Sequence, residues 1–222
     1  MLIVVTPENR QYYWELLREI CVESSLENSF ATSFNSLAKD AFESVPEAVY
    51  LLYIDERYGV QGFARLLPTT GKHLCAEKCE DQTPTGDHIW ELSSIQIMIP
   101  EDSVLLDCDV AFATISTLFF HELFETLNEF CAAQKINQLL VVGEADSLKR
   151  LQQIGWPIEN TSLRLYSANY TDLPGVNSVN TLLVYSLSMT GESYRQFELD
   201  RKQFINHLQM DMKSSFPSLM LH

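Results

Sequence analysis

Arg65 and Glu91 each stand inside an otherwise apolar run of the chain. A charge in the middle of a strand is costly to bury unless it is paired and hydrogen-bonded. Adjacent strands can bring the two together. Ser93 and Ser94 beside Glu91, Asp40 and Glu43 just before the first long strand, and Arg18 on a first helix supply further donors and acceptors. Guanidinium and carboxylate groups gathered in this way suit acid–base work. They suit equally a structural ion pair that fixes the sheet. Both arrangements perturb pKa values, so spacing alone leaves the two readings open.

Other chemistry has less support. No Gly-x-Gly-x-x-Gly, P-loop or Gly-x-Ser-x-Gly pattern occurs, so neither a nucleotide phosphate cradle nor a nucleophile elbow is expected. His73, Cys75, Cys79 and His88 fall within one polar stretch, but a single Cys-x-x-x-Cys pair is not a specific zinc signature. That stretch reads as a solvated loop, and no metal is expected. The cysteines (21, 75, 79, 108 and 131) are scattered and odd in number, which fits reduced thiols. His121 has no evident partner and reads as structural.

The elements that must position these residues follow from periodicity. Residues 2–5 read as a strand. Pro7 opens a helix with Thr6 as its N-cap, and Tyr13, Leu16, Leu17, Ile20 and Cys21 recur at helical spacing. Residues 24–39 read as a loop. Strands are expected over 48–54 and 60–67, joined by a hairpin loop, then a long insertion over 71–87. A strand over 89–98 places Ile89, Glu91, Ser93, Ile95 and Ile97 on one face. The dominant helix spans 110–133, with Glu122, Glu125 and Glu129 toward water. A buried strand over 138–142, a short helix over 147–154 stopped by Gly155, strands over 163–167 and 181–189, and an amphipathic helix over 191–209 complete the order. Tyr194, Phe197, Ile205 and Leu208 form the apolar side of the last helix. Strands interrupted by helices give an α/β fold with a mixed central sheet flanked by helices, and a single domain over 1–222.

Composition excludes several classes. The 222 residues carry a net charge of −15, with 46% hydrophobic and 20% charged residues. This is a globular chain, and its acidity disfavours non-specific binding to nucleic acid or an anionic membrane. The longest apolar stretch, 110–120, falls short of the roughly 20 residues a membrane helix needs. The start lacks the basic, apolar character of a signal peptide, so a cytoplasmic location is expected.

One resemblance goes further. The run Gly62-Phe63-Ala64-Arg65-Leu66-Leu67-Pro68-Thr69-Thr70-Gly71, followed by Trp90-Glu91-Leu92-Ser93, resembles the core signature of acyl-homoserine-lactone (autoinducer) synthases. Leu37-Ala38-Lys39-Asp40-Ala41-Phe42-Glu43 is similar to the family's acidic segment. Leu148-Lys149-Arg150-Leu151 with Ile154-Gly155-Trp156-Pro157 resembles its late helix and turn. The resemblance implies a GNAT-type N-acyltransferase fold and a role in quorum-sensing signal synthesis. These enzymes carry an acyl chain from acyl carrier protein or coenzyme A to the amine of S-adenosylmethionine, and lactone closure expels methylthioadenosine. Arg65, Asp40 and Glu91 match catalytic positions by this resemblance. Arg18, Glu43, Ser93, Ser94, Phe112 and Phe119 fall in substrate-binding regions. No bound cofactor is implied beyond these substrates. Lys149 and Arg150 form a basic patch on which an acidic acyl carrier protein could dock.

The chain departs from the family pattern at several positions. Val22 stands where an aromatic is usual, Ala38 replaces the first acid, Glu43 replaces an Asp, and Ser94 replaces an Arg. The loop Trp has no clear counterpart, although Phe30 or Phe34 can substitute. In the implied reaction, Glu91 removes the amine proton directly or through water, and backbone N–H groups on a splayed strand hold the oxyanion. The acyl tail is expected between the 89–98 strand and the dominant helix, lined by Phe112, Leu118, Phe119 and Leu140. Two alternatives remain: a GNAT-type acyltransferase acting on another amine, and a non-catalytic ligand-binding homologue.

Overall fold

The computed structural model describes residues 2–18, 46–55, 59–73, 75–76, 79, 83–97, 109–167 and 180–215. Seven strands form one sheet: β1 (Leu2–Val5), β2 (Val49–Asp55), β3 (Gly59–Pro68), β4 (Ile89–Ile97), β5 (Gln138–Gly143), β6 (Ile158–Ser167) and β7 (Asn180–Ser188). Their order is β1-β2-β3-β4-β5-β7-β6. Each neighbouring pair is antiparallel except β4 and β5, so the sheet is mixed. A parallel pair needs a long crossover, and helix α1 (Asp109–Gln134) lies on that connection. Helices α2 (Ala145–Gln153) and α3 (Gly191–Ser215) follow β5 and β7. Among the described residues, no helix is long and apolar enough to cross a membrane.

Strand alternation divides the core by sheet face. Val49, Leu51, Ala64, Leu66, Leu92, Leu139, Val141, Tyr185 and Leu187 pack against α1, α2 and α3, through Phe119, Leu123, Phe124 and Leu127 of α1, Leu148 and Leu151 of α2, and Phe197 of α3. The opposite face carries two separate apolar clusters. One joins Tyr50, Leu52, Phe63 and Leu67 to Val5 and Leu17. The other joins Ile89, Leu140, Val142, Leu163, Leu165, Leu182 and Val184 to Cys75.

An aromatic group locks the helices together. Trp156 is buried, donates its indole N–H to the Phe120 carbonyl at 3.2 Å, and meets Phe124 edge-on at 5.2 Å. Phe124 in turn lies 4.0 Å from Phe197 between ring centroids. Gly155, at φ +94°, turns the chain from α2 into this group, a backbone conformation open to glycine. On the same side of the sheet, Phe119 closes over Gly62. A Cβ there would lie 2.9 Å from both the Phe119 ring and the Gln96 carbonyl, so no other residue fits without displacement.

Several expectations need correction. The first helix does not begin at Pro7 with a Thr6 cap. A 3-10 turn starts at Arg10, and helical conformation continues through residue 18. The Asn9 side chain accepts the Thr6 N–H at 2.8 Å and donates to the Val4 carbonyl at 3.0 Å, holding 7–9 as a turn. Ile20, Cys21, Val22 and the expected loop 24–39, with Phe30, Phe34 and Ala38, lie outside the described residues. So do Met98, Cys108 and the tip of the β2–β3 hairpin. β6 begins five residues earlier than the apolar run 163–167 suggests, because its first half is polar and edge-facing. Glu125 does not simply face water: it is half-buried and pairs with Arg201 of α3, whereas Glu122 and Glu129 are exposed. Phe197 is buried and Tyr194 half-buried as expected, and the side chains of Ile205 and Leu208 lie outside the described set.

His121 on α1 sits at the junction of the helices, its Nε2 3.2 Å from the Ile154 carbonyl and its ring edge-on to Phe197. Burial holds its pKa below the ordinary 6.5, with the Arg201 charge acting in the same direction. The unfolded chain therefore binds the proton more readily. The stability contribution is complete above 6.5 and is lost as pH falls below that value toward the folded pKa. Urea unfolding at pH 7.5 and 5.5 should show a drop in midpoint at the lower pH. That drop should shrink in His121→Asn; an equal drop in both proteins would exclude His121 as its source.

Candidate functional site

Six polar or charged side chains are buried among the described residues, and five of them lie between Arg65 and Ser93: Arg65, Thr69, His73, Glu91 and Ser93. They occupy the ground between the two apolar clusters on the face away from the long helices. The register explains the gathering. Tyr50 of β2 stands opposite Arg65 of β3, and Leu67 of β3 stands opposite Glu91 of β4. Arg65 and Glu91 thus share one sheet face, on neighbouring strands and diagonal to one another, within reach of long side chains.

A β-bulge brings the serine in. Leu66 pairs with Leu92 and Arg65 with Ser94, so Ser93 is an extra residue in β4. Its hydroxyl accepts the Arg65 Nε–H at 2.9 Å. The bulge also overturns the expected alternation. Ile89 and Glu91 stay on the site face, but past Ser93 the pleat reverses, and Ile95 and Ile97 pack with Trp90 and Leu92 against the helix side. The β4–β5 pairing ends at Leu92 and Val141, while β4 continues to Ile97. The two strands therefore part directly beside the buried charges.

The insertion between β3 and β4 is not simply a solvated loop. Thr69 closes its base, donating to the Ile89 carbonyl at 2.7 Å and accepting the Gly86 N–H at 3.1 Å. His73 and Cys75 are buried. The Cys75 N–H donates to Glu91 Oε2 at 2.7 Å, and four residues on Cys79 bridges to Leu165 of β6. The two cysteines thus tie the insertion to the carboxylate at one point and to β6 at the other, past the irregularity of β6 between Asn160 and Arg164. Burial, then the Glu91 charge, pushes the Cys75 thiol well above the usual thiol range. Nothing in the apolar pattern of the insertion announced this contact; the nearest signal was the one buried-type residue, Cys75, in a polar stretch. Among the described residues, no three His, Cys, Asp or Glu side chains form a metal-binding group.

The remaining candidates are dispersed. Arg18 is exposed and pairs with Glu15 at 3.6 Å. Asp40 and Glu43 lie outside the described residues. Phe112 belongs to α1 and Ser94 to β4, with side chains outside the described set. Phe119 is buried on the helix side, edge-on to Tyr53 at 5.5 Å, whereas Leu140 faces the site side. Because the sheet lies between them, they do not line one pocket as expected.

No protein-family model and no curated protein matches the chain. Solved structures do. MesI, a CoA-dependent acyl-homoserine lactone synthase, superposes with a TM-score of 0.57 at 20% identity, over 92% of this chain and 95% of that one. BjaI, a CoA-dependent acyl-homoserine lactone synthase solved with SAM and isopentyl-CoA, gives 0.54 at 19% identity, over 91% and 88%. TofI gives 0.54 at 16% identity, over 89% and 96%. The fold is the GNAT-type fold of these structural neighbours.

Breaking a buried charge constellation by removing one member typically costs about 3–5 kcal/mol. Arg65→Ala should lower the unfolding free energy by about that amount. The double variant Arg65→Ala/Glu91→Gln should lose less than the two single losses added together, with a coupling of about 0.5–3 kcal/mol. Strict additivity in denaturant unfolding would mean that the two groups do not interact.

Proposed function

We propose that the chain is an N-acyltransferase that passes an acyl group from a thioester carrier to the amine of S-adenosylmethionine, with lactone closure releasing methylthioadenosine. The observation that carries this reading is a buried carboxylate, Glu91, beside Arg65 and Ser93 at the point where β4 leaves β5. Amine acylation requires a neutral amine, an acyl carbonyl held against it, and donors for the oxyanion. Glu91 takes the ammonium proton, directly or through a water. Arg65 orients the site through Ser93. The backbone of β4 past Leu92 is freed from β5 and supplies N–H donors toward the acyl carbonyl. No nucleophilic side chain is needed.

Asp40, Glu43 and Arg18 complete the acceptor side in this reading. The solved neighbours support the substrate assignment, since MesI and BjaI are CoA-dependent acyl-homoserine lactone synthases and BjaI was solved with SAM and isopentyl-CoA. The donor is acyl-coenzyme A or acyl-acyl carrier protein. Lys149 and Arg150, both exposed on α2, form the docking patch for a carrier protein on a chain whose net charge of −15 otherwise repels one.

A second reading, another acceptor amine, is favoured by Ser94. It occupies the register position opposite Arg65, where the resembled family has an Arg, and Val22 stands where that family has an aromatic. An aromatic face can hold a sulfonium with about 0.5–2 kcal/mol, and a charged hydrogen bond contributes about 1.5–3 kcal/mol. Calorimetric titration with S-adenosylmethionine separates the readings. Micromolar binding supports the first, and no binding at millimolar ligand favours another amine or no catalysis. Glu91→Gln should reduce acyl transfer about 10²–10⁴-fold while the protein remains folded. Unchanged turnover would remove Glu91 from the mechanism.

A further inference from the structure

Cys75 and Cys79 stand one turn apart against the carboxylate. The Cys79 N–H donates to the Cys75 carbonyl at 3.0 Å, the bond of a single α-turn. That bond brings the two backbones close enough for a disulfide, whose Cα atoms lie about 4.4–6.8 Å apart. The Cys75 side chain hydrogen-bonds both to Glu91 and to Cys79, while its N–H holds Glu91 Oε2 at 2.7 Å. Neither cysteine is in a disulfide; Cys75 is buried and Cys79 is half-buried. The other described cysteine, Cys131, is buried on the helix side of the sheet, where burial pushes its thiol up to about 12.

We propose that Cys75 and Cys79 are a redox switch on Glu91: a hydroperoxide converts them to a disulfide, and closure withdraws the Cys75 thiol from the carboxylate. Cys79, the more accessible thiol, reacts first. Its thiolate attacks a peroxide oxygen, so an S–O bond forms and the O–O bond breaks. The departing oxygen takes a proton, and Cys79 becomes a sulfenic acid. The Cys75 sulfur then attacks the Cys79 sulfur, forming S–S and breaking S–O. The Cys75 proton passes to Glu91 and on to the departing hydroxide, which leaves as water. Two thiols lose two electrons and the hydroperoxide gains them. Glu91 is thus the base of the closing step, which matches its position beside a thiol that burial keeps protonated.

The effect on acyl transfer rests on the function proposed above; the closure itself does not. Lys78 lies between the two cysteines, so trypsin separates them unless a disulfide joins the fragments. Treatment of the full chain with hydrogen peroxide, then tryptic mass mapping, should show one Cys75–Cys79 link that dithiothreitol reverses. Closure in Glu91→Gln, checked for folding by thermal unfolding, should be about 10²-fold slower or more, as for loss of a general base. Acyl transfer should fall at least about tenfold on closure and recover on reduction, and Cys79→Ser should keep its activity and resist peroxide. Absence of the link, or closure at the same rate without the Glu91 carboxylate, overturns the switch. A link that leaves measurable acyl transfer unchanged overturns the regulation. A reduced protein without acyl transfer, but with Glu91-dependent closure, overturns the functional reading and supports the switch.

Discussion

Burying a guanidinium and a carboxylate inside a sheet is the constraint that the rest of this structure answers. Each ion loses its hydration on entering the core, a penalty of several kcal/mol that only close partners offset. The fold supplies them from three directions. Ser93 reaches Arg65 through a bulge, Cys75 reaches Glu91 through the insertion, and the diagonal register sets the two charges on one face. The apolar clusters lie to either side of this strip. On the opposite face the described residues pack as one apolar core beneath the helices.

Much of this was legible in the chain. Runs of β-branched and aromatic residues marked six of the seven strands closely, and two charges inside such runs marked the site. Local pattern could not reveal the bulge. Ser93 and Ser94 look alike in sequence, and an extra residue leaves no compositional trace, so period-2 reading carried Ile95 and Ile97 to the wrong face. The polar first half of β6 was missed because an edge strand gains little from apolar residues on its open side. The role of Cys75 was invisible for another reason: a backbone N–H donates from any residue type, so its bond to Glu91 depends on where the insertion folds. Glu125 has the same character, since its partner Arg201 lies 76 positions away by residue number.

The fold and the chemistry rest on different kinds of support. The sheet order, the single parallel pair and the parting of β4 from β5 are properties of the backbone, and the fold they build superposes on solved structures at 16–20% identity. What the site acts on depends on a few side chains, and at this level of identity those are free to change while the backbone persists.

The packing around Trp156 has a spectroscopic consequence. The chain holds three tryptophans, and they occupy three environments: Trp156 is 2% exposed, Trp14 is 39% exposed on the first helix, and Trp90 is half-buried on β4, one residue from Glu91. Trp156 is wedged among Phe120 and Phe124, so its emission is blue-shifted and shielded from aqueous quenchers, and it reports on the helices. Trp14 emits from water and responds to whatever approaches the neighbouring strand face. Trp90 meets Phe130 edge-on at 5.8 Å and senses the strand that carries the carboxylate. Intrinsic fluorescence therefore draws on the helical core, the first helix and β4, and Trp→Phe variants assign each contribution without an added label.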